Sequence, residues 1–360
     1  MAKKKQTYFS KDDRTALQAI EAAQYIAFAP MVFQAARSLR NLGLLQIVES
    51  AGEKGISLNE VVKRSQLSVY GVRVLLEAGL GIGLLIVNKG KYQLTKTGYY
   101  ILSDAMTKVN MDFVHDVCYK GMFDLEASIR TGLPEGLKTF GSWSTVYEAL
   151  QYLPEQVRKC WFAFDHYYSD NSFRIVSPHV FKNKPARILD IGGNTGKWAI
   201  NCLSYSPTVQ MGIVDLPGQL KMAKENLEKR SLSDRVSFYE TNILDPKANL
   251  PAGYDVIWMS QFLDCFSEEQ IISILKKCHA VLNKGGNVFI LEPLWDKQKY
   301  ETSAFCLQMT SLYFTNMANG NSQMYSSELF TQLVEKSGFV VEKQIDNIGI
   351  SHTLLRCKKK

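Results

Sequence analysis

The sequence has 360 residues, 46% of them apolar and 21% charged, which suits about two folded domains and excludes a disordered chain. Its formal charge is +7, but the terminal lysines Lys3, Lys4, Lys5, Lys358, Lys359 and Lys360 carry most of that and leave +1 for the body. The basic balance therefore does not point to nucleic acid, and the lysine runs are expected as solvated tails. Seven cysteines, with no CxxC pair and no zinc-type spacing, predict reduced thiols in a cytoplasmic protein without a bound metal. No apolar run approaches the ~18 residues of a membrane span. The opening "MAKKKQTYFSKDD" lacks the apolar core of a secretory signal.

In chain order, residues 12–50 read as two helices, with "MVFQAARSLRNLGLLQIVE" apolar at helical spacing. Ser57 and Glu60 form a capping box that opens a short helix. A further helix follows, with Val72, Leu75 and Leu76 on one face, and "GLGIG" at 79–83 reads as its end. "LLIVNKGKYQLT" is a hairpin around Asn-Lys-Gly. Helices followed by a two-stranded wing predict a winged-helix domain. The helix that would enter a DNA groove carries one arginine, Arg73, among apolar residues, so packing or dimerisation is favoured over DNA binding. Residues 105–180 read as mainly helical, with a break at "RTGLPEGLKTFG".

From 186 the period changes. "ARILDI", "VQMGIVD", "VSFYE", "YDVIWM" and "NVFILE" are strand candidates, mostly separated by helical segments. This predicts an α/β, Rossmann-like domain with a mostly parallel sheet. "GFVVEKQ" and "GISHTLLRC" are joined too closely for a crossover, so the last pair is expected to be antiparallel. "ILDIGGNTGKWAI" is a strand, a glycine turn at Gly192, Gly193 and Gly196, and a helix start. Asp215 ends the next strand, where a doubly wound fold places the acid for ribose hydroxyls. Asp190 would repel a pyrophosphate but suits an ammonium group. The loop therefore favours a nucleoside joined to a zwitterion, S-adenosylmethionine. On the helix before this domain, Asp165, Tyr168 and Ser172 fall at i, i+3 and i+7 and are expected to share a site-facing side, turning His166 away.

Taken together, these segments resemble the small-molecule O-methyltransferases that include caffeic acid and acetylserotonin methyltransferases and bacterial polyketide-decorating enzymes. The resemblance rests on "NLGLLQIVESAGEKGISLNEV", "YQLTKTGYYIL", "SIRTGLPEG", "FDHYYSDNS", "LDIGGNTG", "VDLPG", "YDVIWMSQFLDCFSEEQ", "LNKGGNVFILE" and "KSGF", in order along nearly the whole chain. It implies a winged-helix dimerisation domain (1–104), a helical connector contributing to the substrate pocket (105–180) and a class I methyltransferase domain (181–360). It implies a homodimer acting on a small acceptor, with no nucleic-acid or membrane partner. Cofactor contacts carried over are Gly192 and its loop, Asp215 and Leu216 at the ribose, Asn242, Ile243 and Phe266 around the adenine, Ser172 at the carboxylate, and Ser260 at the end of the fourth strand. Met309, Tyr313, Phe314 and Met317 are candidate cavity walls.

The departures are at the base. The family pattern Leu-His-Asp-Trp is here Leu263, Asp264, Cys265, Phe266, so the histidine that takes the acceptor proton is Asp264. Of two glutamates that orient that histidine, one matches Glu292 and the other is replaced by Gln323. Glu292 beside Asp264 is expected to raise its pKa. The expected activity is methyl transfer, most simply to oxygen of an aromatic or polyketide-like acceptor. The alternatives are N- or C-transfer, or a cofactor-sensing winged-helix regulator without transfer.

Overall fold

A computed structural model describes residues 8–360, so Lys3, Lys4 and Lys5 of the expected N-terminal tail lie outside the described residues. The chain forms two compact units. One spans Phe9–Val114; the other spans His115–Lys360 and takes in Tyr8, whose hydroxyl donates to the Lys299 carbonyl at 2.7 Å. The division falls at 114/115, ten residues beyond the boundary expected at 104, because helix Ala105–Phe113 goes with the first unit.

In the first unit, β1 (Ile56–Ser57), β2 (Leu85–Asn88) and β3 (Lys91–Leu94) form a small sheet in the order β1-β3-β2. The β2–β3 hairpin is the expected wing, and Ser57 and Glu60 form the expected capping box. Residues 12–50 hold three helices, not two: Ala16–Ala27, Ala29–Asn41 and Leu44–Glu49. Pro30 starts a helix but cannot continue the previous one, and Gly43, at φ 73°, ends the second. Leu39, Leu45, Val61, Val72 and Leu76 close this unit's core. Helix Ala16–Ala27 buries none of its residues, and leaves Leu17, Ile20, Tyr25 and Ile26 exposed. No single helix among the described residues is long and apolar enough to cross a membrane. The bent pair Ala16–Ala27 and Ala29–Asn41 passes that test only jointly, across a 63° break.

The second unit is built on seven strands: β4 (Arg187–Ile191), β5 (Gln210–Asp215), β6 (Val236–Glu240), β7 (Tyr254–Ser260), β8 (Leu282–Glu292), β9 (Phe339–Ile348) and β10 (His352–Lys359). Their order is β6-β5-β4-β7-β8-β10-β9. The first five run parallel and β10 is antiparallel to both neighbours. Alternate residues of the buried strands serve opposite faces. Ile257 packs with Leu275, Ile290 and Phe330 on one side, and Trp258 with Val176, Trp198 and Met211 on the other. The C-terminal lysines do not form a loose tail. Lys358 and Lys359 belong to β10, with the Lys358 ammonium 2.7 Å from Glu342 and that of Lys359 donating to the Leu282 carbonyl.

Strand order reverses between β4 and β7, which opens a crevice at the carboxyl ends of these strands. Helix Glu155–Val180 runs beside it and carries four of its lining residues.

Candidate methyltransferase site

A cleft of about 450 Å³ including its open mouth lies at that crevice. It is lined by Asp165, His166, Ser169 and Phe173 of the long helix, Asp190, Gly192, Gly193, Asn194, Thr195, Lys197 and Trp198 of the glycine turn, and Ser260 and Gln261 after β7. Gly192 has φ 74°, and a Cβ there would overlap the Phe262 ring. At Gly193 a Cβ would lie 2.6 Å from Ile213 and 2.9 Å from the Asp190 carboxylate. Both positions therefore demand glycine for space, and the first also for backbone conformation. Gly196, at φ 78°, caps helix Lys197–Tyr205. The backbone N–H groups of Asn194 and Leu216 donate to Asp215 at 2.8 and 2.7 Å, tying the turn to the end of β5. Burial nevertheless pushes the Asp215 carboxyl up to about 6.

Asp190 is the cleft's unsatisfied acid. It is 2% exposed, and its Oδ2 has no hydrogen-bond partner. Burial and the Asp215 charge push its pKa well up. A cationic ligand group relieves such an orphaned oxygen. The expected ammonium of an amino-acid-bearing nucleoside therefore fits here. Across the cleft, Lys197 pairs with Asp170 at 2.6 Å, and the His166 Nε2 is buried without a hydrogen bond, 3.9 Å from the Asp165 carboxylate.

The second acidic group lies just beyond β7. Leu263–Cys265 form one 3₁₀ turn, and Asp264 within it is 4% exposed. Its carboxylate accepts from the Cys265 thiol at 3.4 Å. Glu292, at the end of β8, accepts the Phe262 and Leu263 N–H groups through Oε1 at 3.0 and 2.8 Å, while its buried Oε2 has no partner. Glu292 thus holds the turn from below. Burial pushes Asp264 up to about 7, and burial plus the Asp264 charge pushes Glu292 well up. Asp165 is likewise pushed up to about 7, first by burial and then by Asp264. The cleft wall and the turn are therefore in electrostatic contact. Among the described residues no cluster of His, Cys, Asp and Glu is arranged to hold a metal.

The model for the O-methyltransferase domain matches residues 123–340, and that for the Dimerisation2-like domain matches residues 20–92. The chain belongs to the S-adenosylmethionine-dependent small-molecule O-methyltransferase family. The methyltransferase is 22% identical over 324 residues to the L-tyrosine C(3)-methyltransferase of Streptomyces lavendulae, covering 89% of this chain and 87% of that one. It shares its fold with the S-adenosylmethionine-dependent methyltransferase SibL (TM-score 0.72, 21% identity, 94% and 99% of the two chains). It also shares it with an O-methyltransferase from neocarzinostatin biosynthesis, solved with S-adenosylmethionine and 2-hydroxy-5-methyl naphthoic acid (TM-score 0.68, 18% identity, 97% and 100%).

Not every expected residue of the methyltransferase reaches the cleft. Ser172 is fully buried, with its Oγ 3.3 Å from His352 Nδ1, and it packs against Gly349. Tyr168 is half-buried beside Phe164 and Tyr167 and is not a lining residue. At about 100° per residue, Asp165 stands at the edge between two arcs of the helix. The arc through His166, Ser169 and Phe173 faces the cleft, so His166 points inward, contrary to expectation. Gln323, expected at the place of the second glutamate, is exposed and is not among the cleft-lining residues. Met309 is 46% exposed, whereas Tyr313 is buried with its hydroxyl accepting from Trp161 Nε1 at 2.6 Å; Phe314 and Met317 are buried. Ile243 is a core residue whose carbonyl accepts from Lys277, and Asn242 is exposed. Phe266 packs edge-on against Phe262, 4.8 Å between centroids. Ser260 Oγ accepts from Trp258 Nε1 at 3.2 Å. Sequence reading did not single out Asn194, Lys197, Gln261 or Tyr147. The first two were legible as parts of the glycine turn and helix start. Gln261, at φ 46°, and Tyr147 left no sequence signal.

Proposed function

We propose that this methyltransferase transfers the methyl group of S-adenosylmethionine to a hydroxyl of a small aromatic or polyketide-like acceptor, with Asp264 as general base. The observation that carries this reading is a buried carboxyl, raised to about 7, on the turn that follows the cleft-lining end of β7. A base is effective when its pKa lies near the working pH. An ordinary aspartate, near 3.8, is too weak for a phenol; burial strengthens it. The cofactor supplies an electrophilic methyl group on its sulfonium. Asp190 receives the ammonium, Asp215 and Leu216 face the ribose, and Gly192 and Gly193 let the backbone approach. Phe266, Asn242 and Ile243 are assigned to the adenine end, and Tyr313 and Tyr168 to the acceptor side. Glu292 positions the base through the two N–H groups of its turn.

We assign the first unit to homodimerisation. The exposed apolar residues of helix Ala16–Ala27 and the match to a dimerisation-domain model support this. Seven free cysteines support a reducing, cytoplasmic setting. The apolar and singly charged helix Val69–Gly81 argues against a nucleic-acid partner, and no membrane partner is invoked.

Transfer of radiolabel from S-adenosylmethionine to a panel of phenols, hydroxyquinones and polyketides tests the activity. Asp264→Ala is expected to lower kcat by ~10²–10⁴ on an oxygen acceptor. Full activity in that variant would remove the base assignment. Transfer to ring carbon is the second reading, favoured by the likeness to a tyrosine C-methyltransferase over 89% of the chain; the position of the label in the product decides between them.

A further inference from the structure

Asp264 is surrounded by acids, phenols and a thiol. Glu292 faces it from the end of β8, Asp165 from helix Glu155–Val180, Tyr147 from helix Val146–Ala149, Tyr325 from the segment before helix Ser327–Lys336, and Cys265 from its own turn. Among the described residues no lysine, arginine or histidine pairs with Asp264 or Glu292. The positive side chain acting on this acidic group, Lys197, acts on Asp165 and is already held by Asp170 at 2.6 Å. One oxygen of Glu292 is buried with nothing bonded to it. A buried carboxylate without a cation reverts to its acid form, and a cation placed beside it restores the charged form. The cofactor bears such a cation on sulfur, and the spent cofactor, S-adenosylhomocysteine, bears none.

We propose that Asp264 and Glu292 distinguish the cofactor from its spent form by charge, the sulfonium binding with Asp264 ionised and the thioether with Asp264 protonated. This rests on the reading of the cleft as the S-adenosylmethionine site. In the reaction the acceptor O–H gives its proton to Asp264, the carbon–sulfur bond breaks, and the carbon–oxygen bond forms. A sulfonium and a carboxylate become a thioether and a carboxylic acid, so the buried site keeps the same net charge throughout. In the product state Asp264 no longer holds the sulfur by charge, and this favours replacement of the spent cofactor.

Calorimetry on the full chain, without acceptor, tests this. The ratio of the Kd for S-adenosylhomocysteine to that for S-adenosylmethionine is expected to rise by up to about a hundredfold from pH 6 to pH 8, as a group titrating near 7 ionises. At pH 7, titrations in two buffers of different ionisation enthalpy are expected to show about half a proton released by S-adenosylmethionine and about half a proton taken up by S-adenosylhomocysteine. Asp264→Asn should flatten the ratio and erase the difference in protons. Glu292→Gln keeps an oxygen for the two N–H groups, and because burial is what raises Asp264, the pH dependence should remain. A pH-independent ratio in the wild type, or an unchanged pH dependence in Asp264→Asn, overturns the proposal while leaving the methyltransferase reading intact. Failure of both nucleosides to bind overturns both.

Discussion

The two ends of the site use the same residue types differently. At the glycine turn, Asp215 is met by two backbone N–H groups that hold the loop before any ligand arrives, and Asp190 beside it keeps one orphaned oxygen for a ligand cation. On the turn after β7, Asp264 has a thiol for a partner, and Glu292 spends its two N–H bonds on fixing the backbone. One end is built to recognise a ligand whose charges do not change. The other is left short of cations, so that a proton has somewhere to go. An acid met by N–H groups shapes the loop, whereas an under-satisfied acid is left to take a ligand cation, as at Asp190, or a proton, as at Asp264, at the expense of stability.

The sharpest way to break this contrast is at the rigid end. Gly192→Ala places a methyl group in the Phe262 ring at a left-handed backbone position. It is expected to weaken nucleoside binding by ~100-fold or more, measured by calorimetry, with the helical content of the first unit unchanged. At the reactive end, the predicted effect is on stability. The Asp264 pKa, about 7 when folded, lies above its ordinary 3.8. Its contribution to folding is therefore fully present below ~pH 4, and is lost as pH rises to ~7. Asp264→Asn, which never ionises, should be more stable than wild type by up to ~4 kcal/mol at pH 8, and the gap should close toward pH 4. Denaturant titrations at both pH values measure this, and an equal gap at both would mean that Asp264 carries no buried charge. The smallest effect concerns neither end. Ile20→Asp with Ile26→Asp on the exposed helix should convert a dimer to monomers in sedimentation, with the pH dependence of Asp264 unaltered.

Much of the fold was legible because it follows from local pattern. Buried parallel strands read as apolar runs, and the short connection before "GISHTLLRC" made the last pair antiparallel. The glycine turn was legible because each glycine answers a steric need visible in strand–turn–helix context. The helix break at Phe28 was missed because apolar periodicity runs on across it, although Pro30 marks it. Ser172 and His166 were assigned to the wrong sides because Asp165 lies on the border between two arcs, and spacing alone does not say which arc packs inward. The exposure of Gln323 depends on how a loop lies over distant elements, which no local pattern encodes. That Asp264 occupies the base position was visible as a departure from the family pattern. That it lacks a cation was not, since its neighbours come from segments as far apart as Tyr147 and Tyr325.

The placement of β10 has a consequence for synthesis. Thr353 pairs with Glu292, and β10 lies between β8 and β9 rather than at an edge. On the ribosome, the glycine turn, the Asp264 turn and Glu292 all emerge before the strand that completes the sheet beside Glu292. A nascent chain arrested short of His352 thus displays every cleft residue, yet leaves the edge of β8 unpaired, open to misassembly with another chain. Glu292 becomes supported on both sides only when a segment translated about 60 residues after it slides into the middle of the sheet.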